Sequence, residues 1–106
     1  MLNIGQLEDF PDNQAVNLDI DEQAFIVMRR KEAVYVYENR CPHRGIRLEW
    51  QANQLMDIEK QFIQCATHGA LFKPETGVCI AGPCRHQSLR ACQTSIHERH
   101  VYLVIS

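Results

Sequence analysis

Two short segments of this 106-residue chain carry the same pair of donor types. The first holds Cys41-Pro-His43 and the second Cys65-Ala-Thr-His68, with twenty-one residues between His43 and Cys65. A thiolate and a neutral imidazole on each of two loops make a four-ligand set for a metal centre. A lone Cys-x-His is ordinarily a buried thiol beside a surface imidazole. Two such pairs, separated by a hairpin-sized spacer, argue instead for a shared site. Zinc fits Cys2His2 ligation tetrahedrally and would lend folding energy to a small domain. Zinc sites, however, usually group two Cys on one element and two His on another, whereas here each loop offers one of each.

That distribution suits a two-iron centre. With Cys41 and Cys65 on one iron and His43 and His68 on the other, each loop gives one ligand to each metal and the loops are clamped together. Histidine is neutral, so such a core is less negative than an all-thiolate one in either oxidation state, and its reduction potential is raised.

The elements that must position these loops read mostly as strands. Residues 25–28 and 33–37 are short apolar runs around Arg29, Arg30, Lys31 and Glu32, which suit an exposed hairpin turn although no Asn-Gly or Asp-Gly sets its type. Val34 and Val36 alternate with Tyr35 and Tyr37 between opposite faces. Residues 55–58 and 62–65 form a second expected pair, and 101–105 a last β-branched and aromatic strand, with Ile96 in the strand before it. No window holds a convincing helical stripe, and residues 48–54 allow at most one helical turn. Residues 73–77 read as a tight turn in which Pro74 sets φ early and Gly77 is free to take φ > 0. Gly82-Pro83 marks a covering loop, since Pro83 cannot donate to a sheet. The expectation is one all-β domain over residues 1–106, with a cluster-binding subdomain at about 40–84 inserted in it.

Length and composition bound the rest. At 12.3 kDa the chain makes a single domain. Folding hides roughly two-thirds of the extended chain's surface. With 45% apolar and 23% charged residues the chain is ordinary globular protein, not disordered or coiled-coil. No apolar run is long enough to span a membrane, and the first residues lack the basic start and apolar run of a secretory signal, which places the protein in the cytoplasm. Residues 1–24 carry six acids and no Lys or Arg, yet the net charge is only −2, a balance that does not suggest a nucleic-acid binder. Arg44, Arg47, Arg85 and Arg90 could form a local basic rim for an acidic protein partner. Five cysteines, an odd number, argue against a disulfide framework and toward metal binding or reactive thiols.

The two loops resemble the Rieske [2Fe–2S] domain family, whose Cys-x-His and Cys-x-x-His signature matches Cys41, His43, Cys65 and His68. The likeness extends through ENRCPHRGIRL (38–48), CATHGALFKPETGVC (65–79), Gly82-Pro83 and Leu89, and covers roughly residues 25–105. The pattern is closest to low-potential Rieske-type ferredoxins and the Rieske domains of oxygenase systems. The resemblance implies an antiparallel barrel or sandwich with the ligand loops on an inserted subdomain, one [2Fe–2S] cluster, and histidines at its exposed edge. Rieske proteins of quinol-oxidising complexes carry an extra disulfide-forming Cys in each loop, where this chain has Ile46 and Thr67. They also place Ser and Tyr hydroxyls on cluster sulfurs where this chain has Ala70 and Phe72, which points to a potential near the low end of the Rieske range. The spacer between the loops is a few residues longer than in typical members, and the surplus near Trp50 reads as a surface extension.

The remaining residues are weighed against that frame. Gly45 and Gly69 suit close approach of backbone N–H groups to bridging sulfides, and Pro42 and Pro83 stiffen the loops. Leu71 and Phe72 read as local core and shielding. Cys79 and Cys84, around the Gly-Pro turn, read as small buried residues rather than a second metal site or disulfide, and Cys92 as packing. His86, His97 and His100 read as solvent-facing. Trp50 lies either on a partner surface or against the base, and Arg44 and Arg47 are candidates for docking.

The resemblance implies a one-electron carrier passing electrons from a flavin-dependent reductase to an oxygenase or other terminal oxidoreductase. No substrate site or dinucleotide fingerprint is evident, so the chain is expected to be an electron-transfer component and not itself an enzyme. The alternatives are a small structural or electron-transfer subunit of a nitrite-reductase-like complex, or a zinc-binding protein-interaction module. The oligomeric state is left open.

Overall fold

A computed structural model of the chain describes residues 2–40, 56, 61–64, 70–82 and 87–104. Cys41, His43, Cys65 and His68 lie outside these residues, as do Pro42, Arg44, Gly45, Ile46, Arg47, Trp50, Thr67, Gly69, Pro83, Cys84, Arg85 and His86 and the segment 48–54.

The centre of the molecule is a four-stranded antiparallel sheet. Strands β2 (Gln14–Ile20), β3 (Gln23–Arg30) and β4 (Ala33–Glu38) follow one another as hairpins, and β8 (Ala91–Cys92) adds to the free edge of β4. A second sheet joins β1 (Leu2–Gln6), β10 (His100–Leu103) and β9 (Thr94–His97), and a third joins β5 (Ile63–Gln64), β6 (Leu71–Phe72) and β7 (Cys79–Ala81). Among the described residues the only helical element is a 3-10 turn, Leu7–Asp9.

Period-two alternation puts apolar side chains on both faces of the central sheet, and each face is covered by another sheet. Ile26 and Met28 of β3 and Tyr37 of β4 pack with Ile63, Ala70, Phe72, Cys79 and Leu89 on the side of the third sheet. Phe25, Val27, Val34 and Val36 face the other way, onto Leu7, Phe10, Val101 and Leu103. Strand β3 is buried on both sides, which explains its unbroken apolar run FIVM. Burial of a side chain of this size contributes about 1.5–3 kcal/mol, so two cores on one sheet give a small chain substantial cohesion.

Strands β1 and β2 lie in the acidic N-terminal segment, where sequence reasoning places no strand, although Val16, Leu18 and Ile20 of β2 alternate with Asn17 and Asp19 at the period of a half-buried strand. The register decides the matter. Val16 opposes Val27 and Leu18 opposes Phe25, so the apolar residues of β2 share a face with those of β3. The turn between β3 and β4 is shorter than the charged run 29–32 suggests. Arg29 and Arg30 are half-buried strand residues, and only Lys31 and Glu32 form the loop. Arg29 donates from Nη1 to the Leu7 and Phe10 carbonyls, at 3.2 and 2.9 Å, and from Nε to the Lys31 carbonyl at 2.8 Å, binding the N-terminal turn to the sheet.

Two further hairpins, β2–β3 and β9–β10, turn without glycine. Asp21 and Glu22 (φ 48° and 68°) and Glu98 and Arg99 (φ 51° and 64°) occupy left-handed backbone at paired positions, the conformation whose twist matches antiparallel strands. Arg99 pairs with Glu8, and its carbonyl accepts from the Leu7 N–H at 2.8 Å, so the β9–β10 turn also holds the 3-10 turn in place.

The expected pairing of 55–58 with 62–65 is seen where it falls on described residues, as a bridge between Met56 and Ile63. Residues 101–103 and Ile96 are strand, as expected. His97 is exposed, but His100 is half-buried, its ring tilted against Tyr102 and its Nδ1 3.4 Å from Asn3 Nδ2. The solvent-facing reading of His100 is thereby corrected, because its strand is the middle one of its sheet, between β1 and β9, and Asn3 and Tyr102 lie beside its ring.

Candidate metal centre

The described residues form the frame that leads into and out of the two ligand loops. The first loop leaves the central sheet at the end of β4. There Asn39 is buried, at 4% exposure: its N–H donates to the Ala24 carbonyl (2.9 Å) and its Nδ2 to Asn17 Oδ1 (2.9 Å). A buried amide with both backbone and side chain engaged fixes the chain two residues before Cys41. Sequence reasoning singled out no role for Asn39. A polar residue immediately after an apolar strand was the available signal, but its partners lie on β2 and at the start of β3, far off in sequence.

The second loop is entered from β5, which ends at Gln64, and left through Ala70 and β6. Ala70 and Phe72 are fully buried, in line with the local-core reading of Phe72, while Leu71 is half-buried. Neither Ala70 nor Phe72 carries a hydroxyl. Gly82, at the end of β7, lies directly over Ala70. A Cβ on Gly82 would stand 2.8 Å from Ala70 Cα, and its φ of 101° is one that side chains rarely adopt. Gly82 is thus held against the backbone two residues beyond His68, while the rest of the expected covering loop, from Pro83, lies outside the described residues.

The turn after β6 behaves as its residues suggest. Lys73 N–H donates to the Val78 carbonyl (2.9 Å) and Gly77 N–H to the Lys73 carbonyl (2.7 Å), with Gly77 at φ 76°. Residues 87–92 then run from this sheet back to the central one. Cys79 N–H donates to the Gln87 carbonyl, Leu89 N–H to the Gly77 carbonyl and Glu38 N–H to the Arg90 carbonyl, all within 2.9 Å.

Two side chains of the central sheet reach across to the third. Tyr37 donates its hydroxyl proton to the Pro74 carbonyl at 2.7 Å, and burial, with Glu75 nearby, pushes its pKa up to about 12. Arg30 donates to Glu75 Oε1 at 2.8 Å and to the Gln61 carbonyl at 3.0 Å. Sequence reasoning passed over both, having read Tyr37 as a strand residue and Arg30 as part of an exposed turn.

The other cysteines and charges have ordinary surroundings where they are described. Cys79 is buried, with its thiol 3.1 Å from the Ala81 carbonyl. Cys92 packs beside the second core, and burial, with Glu38 nearby, raises its pKa, which favours the inert thiol. Arg90 pairs with Glu38 at 3.0 Å on the surface. Among the described residues, no three Cys, His, Asp or Glu side chains converge on a common point.

The donor set and its frame fit an iron–sulfur centre. Two thiolates and two imidazoles are the right ligands, and the residues flanking them are anchored by buried hydrogen bonds or close backbone packing.

Comparison with known proteins agrees. The Rieske [2Fe–2S] domain matches residues 1–98, so the likeness takes in the acidic N-terminal strands that the motif-based estimate of 25–105 left out. The chain is 27% identical over 106 residues to the oxidoreductase NdmD of Pseudomonas putida, covering 94% of this chain and 17% of that protein. It is 29% identical over 82 residues to the cytochrome b6-f complex iron-sulfur subunit of Chlorobaculum thiosulfatiphilum, covering 77% of this chain and 41% of that protein. The chain therefore spans less than half the length of these curated relatives. Among solved structures, the fold resembles the ferredoxin of carbazole 1,9a-dioxygenase from Nocardioides aromaticivorans IC177, with a TM-score of 0.78 at 22% identity over 99% of this chain and 97% of that one. A complex of reduced oxygenase and oxidized ferredoxin in carbazole 1,9a-dioxygenase gives 0.76 at 21% identity, over 97% of this chain and 100% of that one. With its motifs, its three-sheet fold and the family match in agreement, the chain belongs to the Rieske [2Fe–2S] domain family, whose cofactor is one [2Fe–2S] cluster.

Proposed function

We propose that this chain is a one-electron carrier whose cluster is held by Cys41 and Cys65 on one iron and by His43 and His68 on the other, within a subdomain at about residues 40–84. The observation that carries this reading is the complete Cys-x-His and Cys-x-x-His donor set in a chain of the Rieske family. When bound, the cluster accepts and releases one electron. The chain's residues hold and insulate it. Asn39 anchors the entry to the first loop, Ala70 and Gly82 pack the exit of the second, and Phe72 fixes β6 in the core beside Ala70.

The donor of electrons is a flavin-dependent reductase and the acceptor an oxygenase or other terminal oxidoreductase. Support for an oxygenase comes from the structural likeness to ferredoxins named as parts of carbazole 1,9a-dioxygenase. Ala70 and Phe72, apolar where high-potential members place hydroxyls, support a potential near the low end of the Rieske range. The odd number of cysteines favours a reducing compartment, the cytoplasm. No helix among the described residues is long and apolar enough to cross a membrane.

A second reading has a specific observation behind it. Because the chain matches only 17% of NdmD, it also fits the Rieske portion of a longer oxidoreductase. The size of the native protein in cell extract, read by immunoblot, separates the two.

The test of the metal assignment is optical and electron paramagnetic resonance spectroscopy of anaerobically purified protein, before and after dithionite. The expected result is a signal only on reduction, with an average g below that of all-cysteine [2Fe–2S] clusters. A colourless zinc protein without signal overturns the proposal.

A further inference from the structure

Tyr37 stands four residues before Cys41 on the strand that runs into the first loop, and Pro74 stands six residues after His68 in the turn that follows the second. The hydrogen bond between them, 2.7 Å long and buried, spans the boundary between the central sheet and the third sheet. The Tyr37 ring also presses against the same turn from inside: a Cβ on Gly77 would lie 2.7 Å from its Cε1. The turn is closed by its own bonds between Lys73, Gly77 and Val78. Two side chains of the central sheet tie to it, Arg30 to Glu75 in an exposed pair and Tyr37 to Pro74 in a buried bond, and of these only Tyr37 comes from β4, the strand that runs into the first loop.

We propose that Tyr37 is a positioning residue for the metal centre, its hydroxyl bond to Pro74 setting how the second ligand loop sits relative to the first. The proposal rests on the ligand assignment above. Cluster geometry is sensitive to the relative placement of its ligands, because each loop contributes to both irons. A loosened tie therefore spreads the population of geometries as well as weakening retention. Tyr37 touches neither metal nor partner in this role and acts through the backbone of the turn.

The test is Tyr37→Phe in the full chain, which keeps the ring and its packing and deletes only the donor. It leaves the buried Pro74 carbonyl without that bond. The expected results are a broadened resonance spectrum of the reduced protein, a displaced midpoint potential, and iron release to a ferrous chelator accelerated about tenfold. Gly77→Ala, which pushes the ring from the other side, should broaden the spectrum in the same way and serves where Tyr37→Phe fails to accumulate. Val101→Ala, in the opposite core, controls for general destabilisation. The proposal is overturned by an unaltered spectrum and wild-type iron release in Tyr37→Phe, or by equal changes in Val101→Ala at a matched unfolding midpoint. Absence of a Rieske-type spectrum from the unmodified protein counts against the ligand assignment instead.

Discussion

Gly82 offers a sharp test of the frame around the second loop. Replacing it with alanine sets a methyl carbon 2.8 Å from Ala70 Cα, 3.0 Å from Ala70 Cβ and 3.3 Å from Ala70 N. Two of those three atoms are backbone, so no side-chain rotation relieves the overlap. The φ of 101° adds strain of about 1–3 kcal/mol for a residue with a Cβ. Overlap with the backbone of the buried Ala70 adds about 1–3 kcal/mol more. Together these should destabilise the third sheet by about 2–6 kcal/mol, a large share of the stability of so small a domain. Because the clash falls two residues beyond His68, the loss should appear first as cluster loss. The assay is iron content per chain combined with urea unfolding. Gly5→Ala is the comparison: its φ of 138° also strains a side chain, but it sits in β1, with Asp9 and Phe10 as neighbours. We expect Gly82→Ala to fall below half iron occupancy under conditions where Gly5→Ala retains its cluster. Full occupancy in Gly82→Ala, with an unchanged unfolding midpoint, refutes the argument that this contact shapes the loop.

Other outcomes follow from the same frame. Cys41→Ala and Cys65→Ala should each abolish iron retention while the central sheet, held by the β2–β3–β4 pairing, stays folded; iron analysis and far-ultraviolet circular dichroism check this. Ala70→Ser should raise the midpoint potential, measured by voltammetry, because a hydroxyl in this dry position favours the more negative reduced core; a lowered potential in a fully loaded protein contradicts it. Burial raises the Tyr37 pKa to about 12, against an ordinary phenol pKa of about 10, so the unfolded chain loses this proton first as pH rises. The stability linked to Tyr37 is complete below about pH 10 and is lost as pH rises toward 12, at up to about 1.4 kcal/mol per pH unit. Urea midpoints of wild type and Tyr37→Phe should therefore converge over that window, and a constant gap between them removes the inference.

The candidate donor set is read from the chain itself, because metal chemistry restricts residue type and spacing more tightly than packing does. Cys41, His43, Cys65 and His68 declare a four-donor set without reference to any contact, and the Gly77 turn and the alternation of residues 34–37 are equally local signals. What stayed hidden was long-range. The alternation of Val16, Leu18 and Ile20 with Asn17 and Asp19 is local, but only the register against β3 shows Val16 and Leu18 meeting Val27 and Phe25. Arg30 looks like a loop charge until Glu75 and Gln61 are brought to it. Asn39 and Tyr37 acquire their roles only from Asn17, Ala24 and Pro74.

The amino-acid order by itself thus determined the kind of metal centre, the all-β class and the family, since ligand identity and strand periodicity are properties of neighbouring residues. Only the tertiary structure decided that both faces of the central sheet are buried and that Tyr37 and Arg30 tie the third sheet to it. A hydrogen bond across thirty-seven residues, like that from Tyr37 to Pro74, depends on where the folded chain brings distant atoms together, and no local pattern encodes that distance.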